Sequence, residues 1–327
     1  MRNAMPYGQV AGVPVPVARL VLGTMIVSIQ ERERSFELLD GVFSMGGNAF
    51  DTAHVYAGGQ SERCLGAWLQ ARANREQVFI LSKGCHHNQD RARVTPYDLS
   101  ADLHDSLARL QTDYIDLYLL HRDDPQVPVG IIMDALNEHH AKGRIRAFGG
   151  SNWTHQRIAE ANAYAARHGL TPMVASSPNF GLAEQVLDPW GPGCVSLSGP
   201  TNQDARAWYQ SSGMPIFAYS SLGRGLFSGR LSRQNLPEAE RLLDSAARTA
   251  YLHEVNLKRL DRVAQLAAER GYSVPQVALA YVLHTPLKVF PLVGAANAGE
   301  FAENLRALEI VLTPEECAWL NLERNER

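Results

Sequence analysis

Cysteine is sparse in this 327-residue chain: Cys64, Cys85, Cys194 and Cys317 stand far apart, with no C-x-x-C pair. That excludes a disulfide framework and fits the reduced thiols of a cytosolic enzyme. Long apolar runs are missing as well. Residues 1–20 are broken by Pro6, Gly8, Gly12, Pro14 and Pro16, which leaves no apolar core for a secretion signal, and no later stretch is long enough to span a bilayer. A cytoplasmic protein without a membrane partner is expected. One-sided charge is absent too: 31 Lys plus Arg face 34 Asp plus Glu, a net charge of −3, and the charges are scattered. With no basic stripe to meet a phosphate backbone, no nucleic-acid partner is expected. Cys85-His86-His87 and His54 supply neither an H-x-x-x-H helical pair nor a zinc spacing, so no metal site is expected. No sequence repeat is evident, and no single apolar helix face indicates an oligomeric state.

What is present is a long alternation. Hydrophobic residues make up 45% and charged residues 20%, the balance of a globular protein with a large core. Short apolar runs at 19–25, 48–51, 77–82, 114–120, 145–148, 173–176, 215–219 and 288–292 read as strands. Helical spacing fills many of the gaps, at 32–45 (Phe36, Leu39, Val42, Phe43), 61–71 with Ser61 as N-cap, from Thr95-Pro96 onward (Leu99, Leu103, Leu107, Leu110), and at 129–142, 154–168, 203–211 and 254–270. Eight strand–helix alternations imply parallel strands and favour a closed (β/α)8 TIM barrel. An open Rossmann sheet would carry G-x-G-x-x-G after its first strand, and Leu22-Gly23-Thr24-Met25 does not. The chain 1–327 is therefore expected to be one barrel domain, with an N-terminal hairpin within 1–18 and a helical tail over 309–327. Loops 178–200 and 220–252, after the sixth and seventh strands, are long enough to be binding surfaces.

The active rim of such a barrel lies at the C-terminal ends of its strands. Asp51 closes the second, Lys83 the third and His121 the fourth, and Tyr56 follows Asp51 in Phe50-Asp51-Thr52-Ala53-His54-Val55-Tyr56. Each alone has a plain reading, as a turn partner, a solvated strand end or a loop cap. Together they suit proton transfer to a carbonyl. A phenol is a reluctant acid near neutral pH, a nearby ammonium eases loss of its proton, and a carboxylate keeps that ammonium charged and oriented. His121 would bond the substrate oxygen.

In the contexts F-D-T-A-x-x-Y, S-K-G and L-H-R-x-D-P, these four residues resemble the catalytic tetrad of the aldo-keto reductases, and the likeness runs from Leu22 to about Leu308. The resemblance implies a (β/α)8 barrel that binds NADPH without a Rossmann domain and passes hydride to an aldehyde or ketone. Tyr56 would be the proton donor, tuned by Lys83 and Asp51. It also implies cofactor contacts from Gly23, Thr24, Met25 and Asp51, and from Ser151 and Asn152 on the nicotinamide carboxamide. Tyr219 would stack on the nicotinamide ring, and Ser220, Leu222, Gly223, Arg224 and Gly225 would face the pyrophosphate. Gly294, Ala296, Asn297, Glu300, Glu303 and Asn304 are similar to the adenosine clamp, especially as written in the potassium-channel β-subunit branch.

The departures carry information. Ser177 stands where the family often has Gln, Ala296 where serine is usual, and Glu300 where Gln or Arg is usual. A 2′-phosphate wants cationic or hydroxyl donors, so Glu300 opens the alternative of NADH. Met25 replaces a tryptophan found in some members; Trp153, Trp190 and Phe180 are alternatives for lining the substrate site, against a reading as core or loop packing. A Schiff-base aldolase using Lys83 would leave the cofactor motifs unexplained. A cofactor-sensing module with slow turnover is the competing class, and the intact tetrad favours the enzyme.

Overall fold

The computed structural model describes residues 5–327. Strands β1 (Tyr7–Gly8) and β2 (Val17–Ala18) form the small antiparallel hairpin. The closed barrel follows: β3 (Val21–Gly23), β4 (Ala49–Asp51), β5 (Phe79–Gly84), β6 (Ile115–Leu120), β7 (Ile145–Ser151), β8 (Ala175–Ser177), β9 (Ile216–Ala218) and β10 (Val289–Val293), in the order β10-β3-β4-β5-β6-β7-β8-β9. The (β/α)8 class expected from the alternation is the class observed.

Residues through Ser177, with Gly294–Ala298, form one compact unit. Its helices are α1 (Arg32–Ser44), α2 (Gln60–Arg72), α3 (Pro96–Leu110), α4 (Val129–Ala141) and α5 (His155–His168). α3 shows why the sequence folds so: Thr95 caps it by accepting the Asp98 N–H at 3.1 Å, Pro96 sits in the first turn, and Leu99, Leu103 and Leu110 are buried. Each buried leucine contributes roughly 1.5–3 kcal/mol. The stripe of α1 is rotated from the expected one. Ser35, Leu38, Leu39 and Val42 are buried, whereas Phe36 lies beneath the guanidinium groups of Arg32 and Arg72 and Phe43 packs edge-on against Trp68. Nor does Ser61 cap α2. Left-handed Gly59 precedes the helix, and the Ser61 hydroxyl is fully buried among Thr24 and Thr52.

Pro178–Val293 with Gly299–Arg327 form the second unit. In it β9 and β10 pair in parallel, with the Phe217 and Phe290 rings stacked 4.9 Å apart. Its helices are α6 (Gln203–Ser212), α7 (Ala239–Leu242), α8 (Ser245–Tyr251), α9 (Glu254–Arg270), α10 (Val274–His284), α11 (Ala298–Leu305), which begins one residue earlier, and α12 (Pro314–Leu320) in the expected tail. The 220–252 stretch is a chain of short helical turns rather than an open loop, interrupted by left-handed Arg224 and Gly225 and by the non-helical backbone of Asn235.

Candidate active site

The tetrad belongs to the first unit. Lys83 lies on β5, one residue before its end, and is 2% exposed. An ammonium has three protons to place, and here each has an acceptor: the Asp51 carboxylate, the Thr52 carbonyl at 3.0 Å and the Tyr56 hydroxyl oxygen at 3.1 Å. The ammonium also lies 4.8 Å from the Tyr56 ring centre. Because Lys83 can only donate, the phenolic proton of Tyr56 is directed elsewhere. Burial opposes the charge on Lys83, but Asp51 and Tyr56 outweigh it and hold the ammonium above its ordinary pKa. Burial raises the Asp51 carboxyl while Lys83 pulls it back. The direction that governs the pair is that of Lys83, since three bonded acceptors keep its charge satisfied.

Beneath this pair lies a hydroxyl network that the sequence did not reveal. Thr24 donates both its N–H and its hydroxyl to the Asp51 carbonyl, each at 2.9 Å, and Ser61 bridges Thr24 Oγ1 at 2.8 Å and Thr52 Oγ1 at 3.1 Å. The turn after Asp51 is tied to β5 by the His54 N–H, which donates to the Lys83 carbonyl at 2.9 Å. Nothing local to Ser61 signals this role, since its hydroxyl partners Thr24 and Thr52 lie 37 and 9 residues away.

His121 follows β6, and its backbone N–H donates to the Gly84 carbonyl at 2.7 Å. Its ring meets Tyr56 edge-on at 5.8 Å between centres and His86 at 4.8 Å. Burial, then the Lys83 ammonium, pushes the imidazole pKa well below its ordinary range, so the ring is neutral. Nδ1 is buried without a hydrogen-bond partner among the described residues, although the residue keeps a partly exposed edge. A buried N–H with nothing to donate to is costlier than a bare lone pair. The proton therefore belongs on Nε2, making His121 a neutral donor at the rim.

Of the expected carboxamide contacts, Ser151 ends β7 and donates its hydroxyl to the Ser177 carbonyl at 2.9 Å, while Asn152, in the left-handed region, donates its N–H to the same oxygen at 3.3 Å. Ser177 Oγ is fully buried and has no partner among the described residues. An orphaned buried hydroxyl beside two polar side chains fits an amide ligand. Gly23 is half-buried, Thr24 is buried and Met25 is 54% exposed. Gly294, Ala296 and Asn297 follow β10 in this unit, with Gly294 and Asn297 exposed.

In the second unit Tyr219 is half-buried, its carbonyl accepting from Asn179 Nδ2 and from the Phe180 N–H, each at 3.3 Å; its ring centre is 6.1 Å from that of Trp190. Ser220 and Leu222 are half-buried, Gly223 is buried and Gly225 is half-buried in the following turn. Arg224, expected to face a pyrophosphate, donates Nε to Asp244 at 2.7 and 3.0 Å, with its guanidinium 5.3 Å from the Trp190 ring centre. Glu300 is exposed at the start of α11, Asn304 is buried, and Glu303 accepts from Gln276 Nε2 at 3.0 Å. Trp153 and Phe180 are core residues, the former donating its indole N–H to the Arg122 carbonyl at 3.1 Å; only Trp190, of the three, is exposed.

Comparisons with known proteins find relatives among dehydrogenases and reductases. The chain is 28% identical over 300 residues to a probable aryl-alcohol dehydrogenase of Saccharomyces cerevisiae, covering 88% of this chain and 87% of that one. It is 27% identical over 322 residues to the norsolorinic acid reductase of Aspergillus flavus, covering 92% and 76%. It is 28% identical over 321 residues to the aryl-alcohol dehydrogenase (NADP(+)) of Phanerodontia chrysosporium, covering 92% and 77%. Residues 19–321 match the aldo/keto reductase family. With that match spanning the tetrad and the barrel alike, the chain belongs to the aldo/keto reductases, NAD(P)-dependent oxidoreductases that act on small carbonyl compounds.

Proposed function

We propose that the protein reduces an aromatic aldehyde or ketone, or runs the reverse alcohol oxidation, with Tyr56 as proton donor and NADPH as the principal cofactor. The observation that carries this is the Lys83 ammonium bonded at once to Asp51, the Thr52 carbonyl and the Tyr56 oxygen. The nicotinamide, when bound, supplies the hydride that goes to the carbonyl carbon. Tyr56 gives its proton to the carbonyl oxygen as charge grows there, and Lys83 offsets the negative charge left on the phenol. Asp51 keeps Lys83 ionised and aimed. His121 donates Nε2–H to the same oxygen and fixes its position. Ser151, Asn152 and the orphaned Ser177 hydroxyl would hold the carboxamide. Tyr219 would face the nicotinamide ring and Ser220 to Gly225 the pyrophosphate, while Gly294 to Asn304 would meet the adenosine.

The aromatic substrate class is supported by the relatives named as aryl-alcohol dehydrogenases, and the NADP choice by the one named with NADP(+). Exposed Glu300 tempers that choice and leaves room for NADH. We take the whole chain as one catalytic domain, and the few, widely spaced cysteines support a cytoplasmic setting. Purified protein should oxidise NADPH on addition of 4-nitrobenzaldehyde, and Glu300→Arg should shift preference from NADH toward NADPH. Binding of cofactor without reduction of any carbonyl in a broad panel would instead support the sensing module. An unchanged cofactor preference in Glu300→Arg would remove Glu300 from the account.

A further inference from the structure

His54 stands between Asp51 and Tyr56 and moves no proton in the scheme above, yet its turn is held from outside the barrel. Its carbonyl accepts a bond from Arg109 Nη1 at 2.9 Å, and its Nε2 donates to Asp105 Oδ2 at 3.2 Å, with Asp102 Oδ1 3.7 Å away. Arg109, on α3, is itself fixed: Nη1 also reaches Glu62 Oε2 at 3.3 Å, and Nη2 lies 3.5 Å from Asp105. Glu62, on α2, is fully buried, and its other oxygen accepts the hydroxyl of Ser82, the neighbour of Lys83, at 2.7 Å. One guanidinium thus joins two helices and the Tyr56 turn, while Glu62 ties it back to the strand that carries Lys83.

The turn needs such support. Ala57, Gly58 and Gly59 are left-handed in succession, with φ of +48°, +61° and +85°, an arrangement that local preference disfavours at Ala57. A Cβ on Gly59 would lie 2.8 Å from the Arg109 guanidinium carbon, so the turn is seated directly on that group. A buried carboxylate is also expensive unless its charge is paired, and an ordinary surface turn has no need of one.

We propose that Arg109, set by Glu62, is a positioning residue for the proton donor: it fixes the 53–59 turn and hence where the Tyr56 oxygen stands relative to Lys83. This rests on Tyr56 being the donor. Small displacements of a reacting group cost rate far more than binding, so the strut acts on kcat and leaves substrate and cofactor affinity nearly alone.

The test compares Arg109→Met, Arg109→Lys and the double variant Arg109→Met/Glu62→Gln, which removes the guanidinium without stranding a buried charge. With 4-nitrobenzaldehyde and NADPH, the double variant should remain folded by circular dichroism and lose about ten- to a hundredfold in kcat. Its KM for aldehyde and its NADPH dissociation constant, read by fluorescence, should stay within about twofold, and Arg109→Lys should recover part of the rate. Asp105→Ala, at an exposed position, removes the bond to His54 Nε2 and the ion pair with Arg109 Nη2 while leaving Arg109 on the turn and on Glu62; it should lose about threefold in kcat and decides the matter if the arginine variants do not fold. A folded double variant with wild-type kcat overturns the inference, as does a loss appearing in KM and cofactor affinity instead. Tyr56→Phe, measured alongside, separates the failures: if it keeps full rate, the donor assignment falls; if it alone is inactive, only the strut does.

Discussion

Two ion pairs in the molecule are built in opposite ways. Lys83 and Asp51 are each under 5% exposed, and every proton of the ammonium has an acceptor. Arg224 and Asp244 are 28% and 49% exposed, in a run of short turns, with the Trp190 ring beside the guanidinium and the Ala247 N–H donating to Asp244 at 2.8 Å as it caps α8. Breaking a buried pair costs about 3–5 kcal/mol because it strands a charge. An exposed pair contributes about 0–1 kcal/mol and is weakened by salt. The set proposed to deliver the proton is therefore fixed before any ligand arrives, whereas the arginine proposed to face the pyrophosphate is held by a contact it can exchange.

The sharpest way to break that contrast is Lys83→Met. It should abolish most turnover, by about 10²- to 10⁴-fold, and destabilise the protein by about 3–5 kcal/mol through the orphaned Asp51. Adding Asp51→Asn should restore much of the stability in a urea titration and none of the rate. Recovery of both would mean that the pair is not part of the chemistry.

The pH dependence should show the same asymmetry. Lys83 is held above its ordinary value of 10.5, so its stabilisation is complete below that pH and is lost only as pH rises through the higher folded value. His121 is depressed, so the unfolded chain takes up a proton that the folded one refuses, and stability falls as pH drops below about 6.5. Thermal melts of wild type and His121→Asn between pH 7 and 5 should show a shallower decline in the variant; parallel curves would mean the imidazole is not buried neutral.

The smallest effect belongs to the exposed pair. Asp244→Asn should change stability by no more than about 1 kcal/mol. By releasing Arg224 it should tighten NADPH binding by up to about threefold at low salt, an advantage that fades as salt is added. Weaker binding would show that Asp244 orients Arg224 for the cofactor rather than competing for it.

How much of this could be read beforehand followed from what kind of contact was involved. The placement of Asp51, Lys83 and His121 was legible because barrel topology brings successive strand ends to one rim, so these residues needed only their place in the alternation. Ser61 was misread as a cap because hydroxyl packing against Thr24, 37 residues away, leaves no local pattern. Arg109 and Glu62, 47 residues apart, are hidden for the same reason. Helix α10 escaped because its run from Gln276 to Val282 is buried on every side, which erases the periodic stripe that marks a surface helix. The 220–252 stretch offered helical turns too short to show a period at all.

The central claim is that Tyr56 delivers the proton from a site already assembled around Lys83. Its most direct test is Tyr56→Phe, with NADPH affinity by fluorescence and NADPH oxidation with 4-nitrobenzaldehyde measured on the same preparation. The account predicts cofactor binding within about twofold of wild type and a turnover reduced by about 10²- to 10⁴-fold. A variant that binds NADPH and still reduces the aldehyde at the wild-type rate would contradict it.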